Sequence, residues 1–264
     1  MPKFAANLSF LFTEHPFLER FQRAAQAGFS GVEYLFPYEW PAAQLAGLLE
    51  AAGLEQVLFN LPPGNWAAGD RGMACHPGRQ GEFRDGLMLA LEYADRLGCK
   101  RLHAMAGLAV PGVSEAEQEA IFLENVCTAA ALCESAKVTL MIEPINRLID
   151  MPGYWLDHPD KAFRLQKQVN HPSVKVLLDL YHAQVVGVDL LQILTEEMPQ
   201  IGHLQLADFP GRQEPGTGLI DFPALFKRID ALAYSGWIGC EYRPAQENTE
   251  TSLAWFQPFR SNGC

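Results

Sequence analysis

The chain has 264 residues, of which 48% are hydrophobic and 19% charged, and this length suits one barrel or two small domains. Its formal net charge of -11, with basic residues scattered along the chain, argues against a nucleic-acid partner, although it allows a local cationic pocket. No apolar run approaches the roughly 20 residues that a membrane span requires, so we expect no membrane partner.

The cysteines give an expectation about the cellular compartment. None of the six belongs to a CxxC motif or a dense framework, which predicts free thiols in a reducing cytosol, most of them small core residues. The first residues also lack the length and order of a signal peptide. A cytoplasmic protein is therefore expected. The cysteines are Cys75, Cys99, Cys127, Cys133, Cys240 and Cys264.

Short apolar runs and helical stretches alternate along the whole chain. The predicted strands cover residues 4–7, 31–35, 54–59, 101–104, 138–143, 174–179, 201–206 and 237–241. The predicted helices cover residues 16–27, 41–52, 81–97, 114–136, 159–169, 190–197, 223–232 and 252–259. Ser114 and Glu117 form a capping box at the start of the longest helix.

Eight strand–helix units in this length predict a single α/β domain over residues 1–264, a (β/α)8 TIM barrel. The functional site of such a barrel lies at the C-terminal ends of its strands. A doubly wound open sheet is the alternative. That fold usually carries a glycine-rich phosphate-binding turn after its first strand, and none follows Asn7.

Oxygen-bearing side chains occupy the same place in four consecutive predicted strands. Glu143, Asp179 and Glu241 end the fifth, sixth and eighth strands, and Gln205 lies near the end of the seventh. Because side chains two positions apart share a face of a strand, all four should point inward and converge above the barrel core. The inward residues below them are then Met141, Leu177, His203 and Gly239.

Three carboxylates held this close would repel one another unless a cation lay between them. Carboxylate and amide oxygens without thiolates suit a hard divalent ion, Mg²⁺ or Mn²⁺. A surface or helix-capping role is the ordinary fate of any single Asp or Glu. Four such residues at one strand position are harder to explain that way, so the pattern favours a metal site.

Several sequence strings resemble the hydroxypyruvate isomerase family, whose members are xylose-isomerase-like TIM barrels, and the resemblance covers nearly the whole chain. By this resemblance Glu143, Asp179, Gln205 and Glu241 are metal ligands, and Glu143 and Glu241 are the proton donor and acceptor. The strings are Ile-Glu-Pro-Ile-Asn (142–146), Asp-Met-Pro-Gly-Tyr (150–154), Leu-Asp-Leu-Tyr-His (178–182), His-Leu-Gln-Leu-Ala-Asp (203–208), Pro-Gly-Arg-Gln-Glu-Pro-Gly-Thr-Gly (210–218), Gly-Cys-Glu-Tyr (239–242) and residues 59–72.

The resemblance implies a metal-dependent aldose–ketose isomerase that interconverts hydroxypyruvate and tartronate semialdehyde through an enediolate. A 2-oxotetronate isomerase is the close alternative, because only the pocket beyond the reacting carbons need differ. A non-catalytic sugar-acid binder is a more distant one. The expected partner is a small sugar acid. A homo-oligomer stays open, since no heptad or exposed stripe specifies one.

Further side chains are candidates for substrate contacts. Arg212 is the first candidate for the substrate carboxylate, because a guanidinium matches a carboxylate bidentately, and Arg71 and Arg147 are the alternatives. His182 could polarise a substrate oxygen or orient Asp179. A surface role is as reasonable for each of them. His203 and His103 are expected behind the ligands or in the core.

Two related activities fit the sequence less well. Ketose 3-epimerases of this barrel type typically have His where this chain has Gln205, and a further Glu where it has Ile149. A metal-dependent nuclease would need more inward histidines and a basic face for DNA. Seven histidines and a net charge of -11 count against that activity.

Overall fold

Eight parallel strands close into a barrel in chain order in the computed structural model of the protein, which describes residues 2–260. Each strand pairs with the next, and β8 pairs with β1. The predicted (β/α)8 barrel is therefore confirmed, and the open-sheet alternative is wrong. The strands are β1 Lys3–Asn7, β2 Gly31–Tyr34, β3 Glu55–Asn60, β4 Arg101–His103, β5 Thr139–Ile142, β6 Val174–Asp179, β7 Ile201–Leu206 and β8 Trp237–Cys240.

Helices follow the strands on the outside of the barrel. Ser114 caps the longest helix by accepting a hydrogen bond from the Glu117 backbone N–H at 3.2 Å, as predicted. The α-helices are α1 Phe17–Gln26, α2 Ala42–Ala52, α3 Gln80–Leu97, α4 Glu115–Ala136, α5 Pro159–Val169, α6 Leu180–Val185, α7 Leu190–Glu197 and α8 Phe222–Ala231. Shorter 3₁₀ segments cover Trp66–Ala68 and Met198–Gln200, and a longer one covers Thr249–Phe259.

Two helical segments differ from the expectation. Helix α6 was not predicted, because its six residues are too few to show a helical period. Asp179 starts it by accepting a hydrogen bond from the Tyr181 N–H at 2.8 Å. The last segment is a 3₁₀ helix that begins at Thr249 and contains Pro258, which lacks an N–H for α-helical bonding.

The barrel interior forms a small core of its own, separate from the larger core between strands and helices. Met141 and Leu177 belong to it, one layer below Glu143 and Asp179, which confirms the predicted inward face. Gly239 is inward too. A Cβ there would lie 2.2 Å from Glu33 Oε1, so the missing side chain makes room for a buried carboxylate. The interior residues are Ala5, Val57, Leu58, Met141, Leu177 and Trp237.

Five of the cysteines are free thiols, and Cys264 lies outside the described residues. The cytoplasmic location predicted from them stays a prediction. None of the helices within residues 2–260 combines the length and apolar character needed to cross a membrane.

Candidate active site

A cavity of about 230 Å³ opens at the C-terminal ends of the strands, where the barrel architecture predicts a site. It contains the predicted site residues except Asp179, which is fully buried beside it, and the alternative candidate Arg147. Arg147 lies elsewhere: its side chain is 63% exposed and pairs with Asp157 at 2.7 Å. The cavity is lined by Phe10, Leu35, Asn60, Trp66, Arg71, His103, Met105, Glu143, Ile145, Asp150, Met151, His182, Gln205, Arg212, Glu241 and Arg243.

A larger open groove of about 640 Å³ lies between α5 and α7 on the outside of the barrel. None of the predicted site residues lines it. Both of its Lys and Arg side chains are already paired, Lys167 with Glu197 and Arg164 with Glu119. The chemistry therefore belongs to the smaller cavity inside the barrel mouth.

Strand pairing brings Gln205 between two of the predicted carboxylates. It is paired in register with Asp179 on one side and Gly239 on the other, two residues before Glu241. Its amide nitrogen donates to Glu33 Oε1 and to Glu241 Oε2, both at 2.7 Å. Its amide oxygen is buried and has no hydrogen-bond partner within residues 2–260.

Glu33, on β2, lies at the centre of this network. Its carboxylate accepts hydrogen bonds from Gln205, from Asn7 at 3.0 Å and from His203 at 2.7 Å. Asn7 also donates to Glu241 Oε2 at 3.1 Å. His203 thus stands behind the site, as predicted, and the network fixes which way the Gln205 amide faces.

Arg212 enters the cavity between carboxylates from three different parts of the chain. Its guanidinium donates to Glu241 Oε1 at 2.5 Å and to Asp150 Oδ1 at 2.8 Å, and lies 3.9 Å from Asp179 Oδ2. The rings of Phe10 and Tyr181 lie 5.0 and 5.3 Å from the guanidinium carbon. Arg212 is therefore the internal countercharge of the acid cluster.

The backbone at Arg212 is left-handed, with a φ of 52°, a conformation that costs free energy for a residue other than glycine. Asp208 holds the surrounding loop. Its carboxylate accepts hydrogen bonds from four backbone N–H groups, those of Phe209, Gly216, Gly218 and Ile220. This loop thereby presents Arg212 to the cavity in one conformation.

Glu143, Asp179 and His182 also meet in the site. One potential ligand atom from each lies within 4.8 Å of the other two, and all three side chains are buried. Asp179 Oδ1 accepts from the Tyr181 N–H, whereas Oδ2 has no hydrogen-bond partner in the described chain. Unpartnered buried oxygens on Asp179 and Gln205 are the donor type that a hard divalent cation takes, so the residues present fit such an ion.

The tautomer of His182 follows from its neighbours. Asn146 Oδ1 accepts from the backbone N–H of Ile149, so its amide nitrogen faces His182 Nδ1, at 2.7 Å. Nδ1 therefore accepts, and the proton of the neutral ring is on Nε2. Nε2 lies 3.7 Å from Asp179 Oδ2. His182 is thus a hydrogen-bond donor at the site rather than a ligand in this tautomer.

Burial and mutual repulsion raise the pKa of the carboxyls. The pKa of Glu241 rises to about 8, chiefly from burial, although Arg212 opposes the rise. Burial and then the charges of Glu241 and Asp179 raise the pKa of Glu143 well above its usual range. The pKa of Asp179 rises to about 6, again chiefly from burial. Asp179 and Glu241 can therefore hold and release protons near neutral pH.

Burial has the opposite effect on the imidazoles. It lowers the pKa of His103 to about 3, and burial together with Arg212 lowers the pKa of His182 well below its usual value. Both rings are therefore neutral at physiological pH. His103 Nδ1 lies 3.4 Å from Glu143 Oε2 and 3.2 Å from Asn60 Oδ1.

The sequence interpretation missed Glu33, Asn146 and Asp150 as parts of the site. Glu33 could have been found, because it is a carboxylate inside an apolar strand, like the residues that were predicted. Asp150 belongs to a quoted string but was given no role. It lies in a loop without periodicity, and its contact to Arg212 spans 62 residues.

Comparisons with known proteins agree with this geometry. Residues 21–259 match the family model described as xylose isomerase-like TIM barrel. The chain is 48% identical over 259 residues to 2-oxo-tetronate isomerase of Cupriavidus necator, covering 98% of this chain and 99% of that protein. It is 45% identical over 260 residues to hydroxypyruvate isomerase of Escherichia coli, covering 98% and 100%.

Solved structures give the same fold. A crystal structure named AP endonuclease, family 2, from Brucella melitensis superposes with a TM-score of 0.96 at 48% identity, covering 99% of this chain and 100% of that one. D-psicose 3-epimerase of Clostridium cellulolyticum superposes with a TM-score of 0.76 at 17% identity, covering 96% and 89%. The second match concerns the fold alone.

Proposed function

Since the chain belongs to the xylose isomerase-like TIM barrel family and is an isomerase, we propose that it moves a carbonyl group between neighbouring carbons of a small sugar acid. The proposed reaction interconverts hydroxypyruvate and tartronate semialdehyde, with Mg²⁺ or Mn²⁺ as cofactor. In this reaction one proton leaves the hydroxyl-bearing carbon next to the carbonyl, another arrives on the former carbonyl carbon, and the hydroxyl proton passes to the former carbonyl oxygen. The site must therefore supply both a base and an acid.

The observation that carries the proposal is the pair Glu143 and Glu241. They follow β5 and β8, three strands apart in an eight-stranded ring, and both line the same cavity. Burial raises the pKa of Glu241 to about 8 and that of Glu143 well above its usual range, so each carboxyl holds a proton at a higher pH than a free one does. A substrate in the cavity would have one carboxyl on either side of its reacting carbons.

The surroundings suggest which carboxyl starts as the base. Glu241 accepts hydrogen bonds from Arg212, Gln205 and Asn7, and these donors favour its ionised form. Glu143 receives no hydrogen bond from the described residues, and its burial and the charges of Glu241 and Asp179 favour its protonated form. When Glu241 starts ionised and Glu143 starts protonated, Glu241 takes the proton from one carbon and Glu143 delivers a proton to the other. The reverse direction exchanges the roles.

The ligands of the ion would be Glu143, Asp179, Gln205 and Glu241, the four residues predicted from the strand pattern. The unpartnered Asp179 Oδ2 and Gln205 Oε1 support this assignment. When bound, the ion would supply Lewis-acid polarisation of the substrate oxygens. His182 would donate its Nε2–H to a substrate oxygen beside Asp179, which fits its tautomer and its burial.

A 2-oxotetronate is the second candidate substrate. The relative 2-oxo-tetronate isomerase of Cupriavidus necator, 48% identical to this chain, bears that name. A nuclease activity, the name of the Brucella structure, fits less well. The cavity is small, at about 230 Å³, and the chain has a net charge of -11.

The test is turnover by protein that has been stripped with a chelator and then given Mg²⁺ or Mn²⁺. Hydroxypyruvate and 2-oxotetronate would be followed by proton NMR in D₂O, which also reports deuterium entering the reacting carbon. We expect metal-dependent isomerisation that Glu143→Gln and Glu241→Gln both abolish. Glu196→Gln, on the exposed face of α7, is the matched control and should keep full activity.

The outcomes separate the alternatives. The faster substrate identifies the isomerase, and activity that survives in either glutamine variant removes that carboxyl from the proton transfer. Absence of turnover with both compounds would refute the proposed reaction. A non-catalytic binder would bind sugar acids without exchanging their carbon-bound hydrogen, with or without the two substitutions.

A further inference from the structure

Three arginines line the cavity, and the proposed substrates carry one carboxylate. From their different surroundings we infer that Arg71 binds this carboxylate and sets the preference of the enzyme for sugar acids over neutral sugars. The inference rests on the proposed function, because it assigns the unreactive end of the same substrate. It also replaces Arg212, the first candidate from sequence, in that role.

Arg212 is already committed within the protein. One guanidinium nitrogen donates to Asp150 Oδ1 at 2.8 Å and the other to Glu241 Oε1 at 2.5 Å. A substrate carboxylate could gain the Arg212 fork only by breaking these buried ion pairs. That exchange would leave Glu241 and Asp150 without their countercharge, at a large cost in free energy.

The Arg71 side chain is ordered, but no carboxylate within residues 2–260 balances its charge. Its guanidinium stacks on the Trp66 ring at 4.0 Å, and one nitrogen donates to the backbone oxygens of Trp66 and Asp70 at 3.1 and 2.7 Å. Within residues 2–260 it has no carboxylate partner. Its other N–H donors are therefore available, in the planar arrangement that a carboxylate matches.

The neighbouring acid is occupied elsewhere, which keeps Arg71 free. Asp70 Oδ2 accepts from the Asn65 N–H at 2.7 Å and from Arg79 at 2.9 Å. Arg79 also pairs with Glu82 at 2.8 Å. Asp70 thus stabilises the loop through Arg79 instead of neutralising the arginine beside it.

The loop that carries Arg71 is held firmly against the barrel mouth. Gly72 has a φ of 104°, and a Cβ there would lie 2.3 Å from the Met105 backbone oxygen. Its N–H donates to the Pro63 oxygen at 3.0 Å, and it bridges to Ala106. The loop follows β3, on the opposite side of the ring from the β7 loop of Arg212.

Arg243 is the third arginine and a weaker choice. Its backbone N–H donates to the Arg212 oxygen at 2.9 Å, but its side chain is exposed. In the described part of the chain, no hydrogen bond, ion pair or ring contact orders its guanidinium. Fixing it on a substrate would cost side-chain entropy that Arg71 has already lost.

The test compares Arg71→Met, which keeps the apolar stem, with Arg71→Lys, which keeps the charge but loses the fork. D-glycerate is the probe, because it carries the carboxylate but has no carbonyl to isomerise. Calorimetric titration would measure its dissociation constant for the Mg²⁺-loaded protein beside that of the neutral glyceramide. We expect Arg71→Met to weaken glycerate about 10- to 100-fold, the loss typical of a hydrogen bond to a charged group.

The affinity for glyceramide should change little. The affinity of Arg71→Lys for glycerate should lie between those of the wild type and Arg71→Met. With hydroxypyruvate, Arg71→Met should raise KM far more than it lowers kcat, because the lost contact is to the unreactive end.

Arg147→Met, outside the cavity, is the matched control, and circular dichroism of each variant checks folding. Unchanged glycerate affinity in Arg71→Met, or a loss confined to Arg243→Met or Arg212→Met, would overturn the inference. Glycerate binding in the wild type without turnover of either substrate would instead refute the proposed reaction alone.

Discussion

Replacing Arg212 by Met tests the idea that one buried cation holds the acid cluster together. The substitution keeps the contacts of the stem with Phe10 and Tyr181 but removes the charge facing Glu241, Asp150 and Asp179. Removing one partner of a buried ion pair typically costs about 3–5 kcal/mol, because the remaining charge stays desolvated. For a chain of this size that corresponds to a fall in Tm of about 6–20 °C.

The assay is urea unfolding of chelated protein, followed by circular dichroism at two pH values. At pH 5 the penalty should be smaller than at pH 8, because the pKa values of Asp179 and Glu241, about 6 and about 8, let these carboxyls protonate instead of remaining charged and unpaired. Added Mn²⁺ should also reduce it by supplying positive charge. The matched control is Arg164→Met, whose pair with Glu119 is at the surface and should contribute less than about 1 kcal/mol.

A loss below about 1 kcal/mol for Arg212→Met at pH 8 would contradict this reasoning, since it would place a buried pair in the range of exposed ones. A loss that does not depend on pH would contradict it too. In that case the stem and not the charge of Arg212 would stabilise the cluster.

Three further predictions concern the metal, the amide and the loop. In chelated protein, Asp179 and Glu241 have folded pKa values above their unfolded ones, so their contribution to stability is present below about pH 4 and is lost as pH rises toward 8. Thermal melts should therefore show a larger stabilisation by Mg²⁺ or Mn²⁺ at pH 8 than at pH 6, and an equal shift would contradict this. Glu33→Gln should free the Gln205 amide to turn and weaken Mn²⁺ binding about 10-fold or more, measured by electron paramagnetic resonance of free Mn²⁺; unchanged affinity would show that Glu33 does not position the amide. Asp208→Asn should cost about 1–3 kcal/mol in urea unfolding and lower kcat/KM, because an NH₂ group would face backbone N–H donors; full activity would show that the loop tolerates the loss.

The barrel and the carboxyl set could be predicted because both follow from strand periodicity. A side chain at the end of a buried parallel strand has its direction fixed by the alternation of the strand, and closure of the barrel brings the strand ends together. The positions of Glu143 and Glu241 could be predicted without knowing the conformation of any loop. The prediction of Gln205 followed from the same alternation.

The loop contacts could not be predicted in this way. The position of Arg212 depends on a left-handed backbone at that residue and on the hydrogen bonds of Asp208, neither of which has a period in the sequence. Arg71 ranked behind Arg212 for the substrate carboxylate because the pairing of Asp150 with Arg212 was not visible. Which arginine is free depends on the partners of each, and these come from distant segments.

The charge balance of the cavity supports the proposed cation. Five buried or nearly buried carboxyls surround it, whereas Arg212 is the buried cation that faces them in the described chain, and the imidazoles of His103 and His182 are neutral. Burial and mutual repulsion raise the pKa values of Glu143, Asp179 and Glu241, so protons can balance part of the excess, and the proposed divalent ion would balance it too. An ion held at this site would supply the missing positive charge, while Glu143 as acid and Glu241 as base would carry the proposed proton transfer. The carboxyls are Glu33, Glu143, Asp150, Asp179 and Glu241.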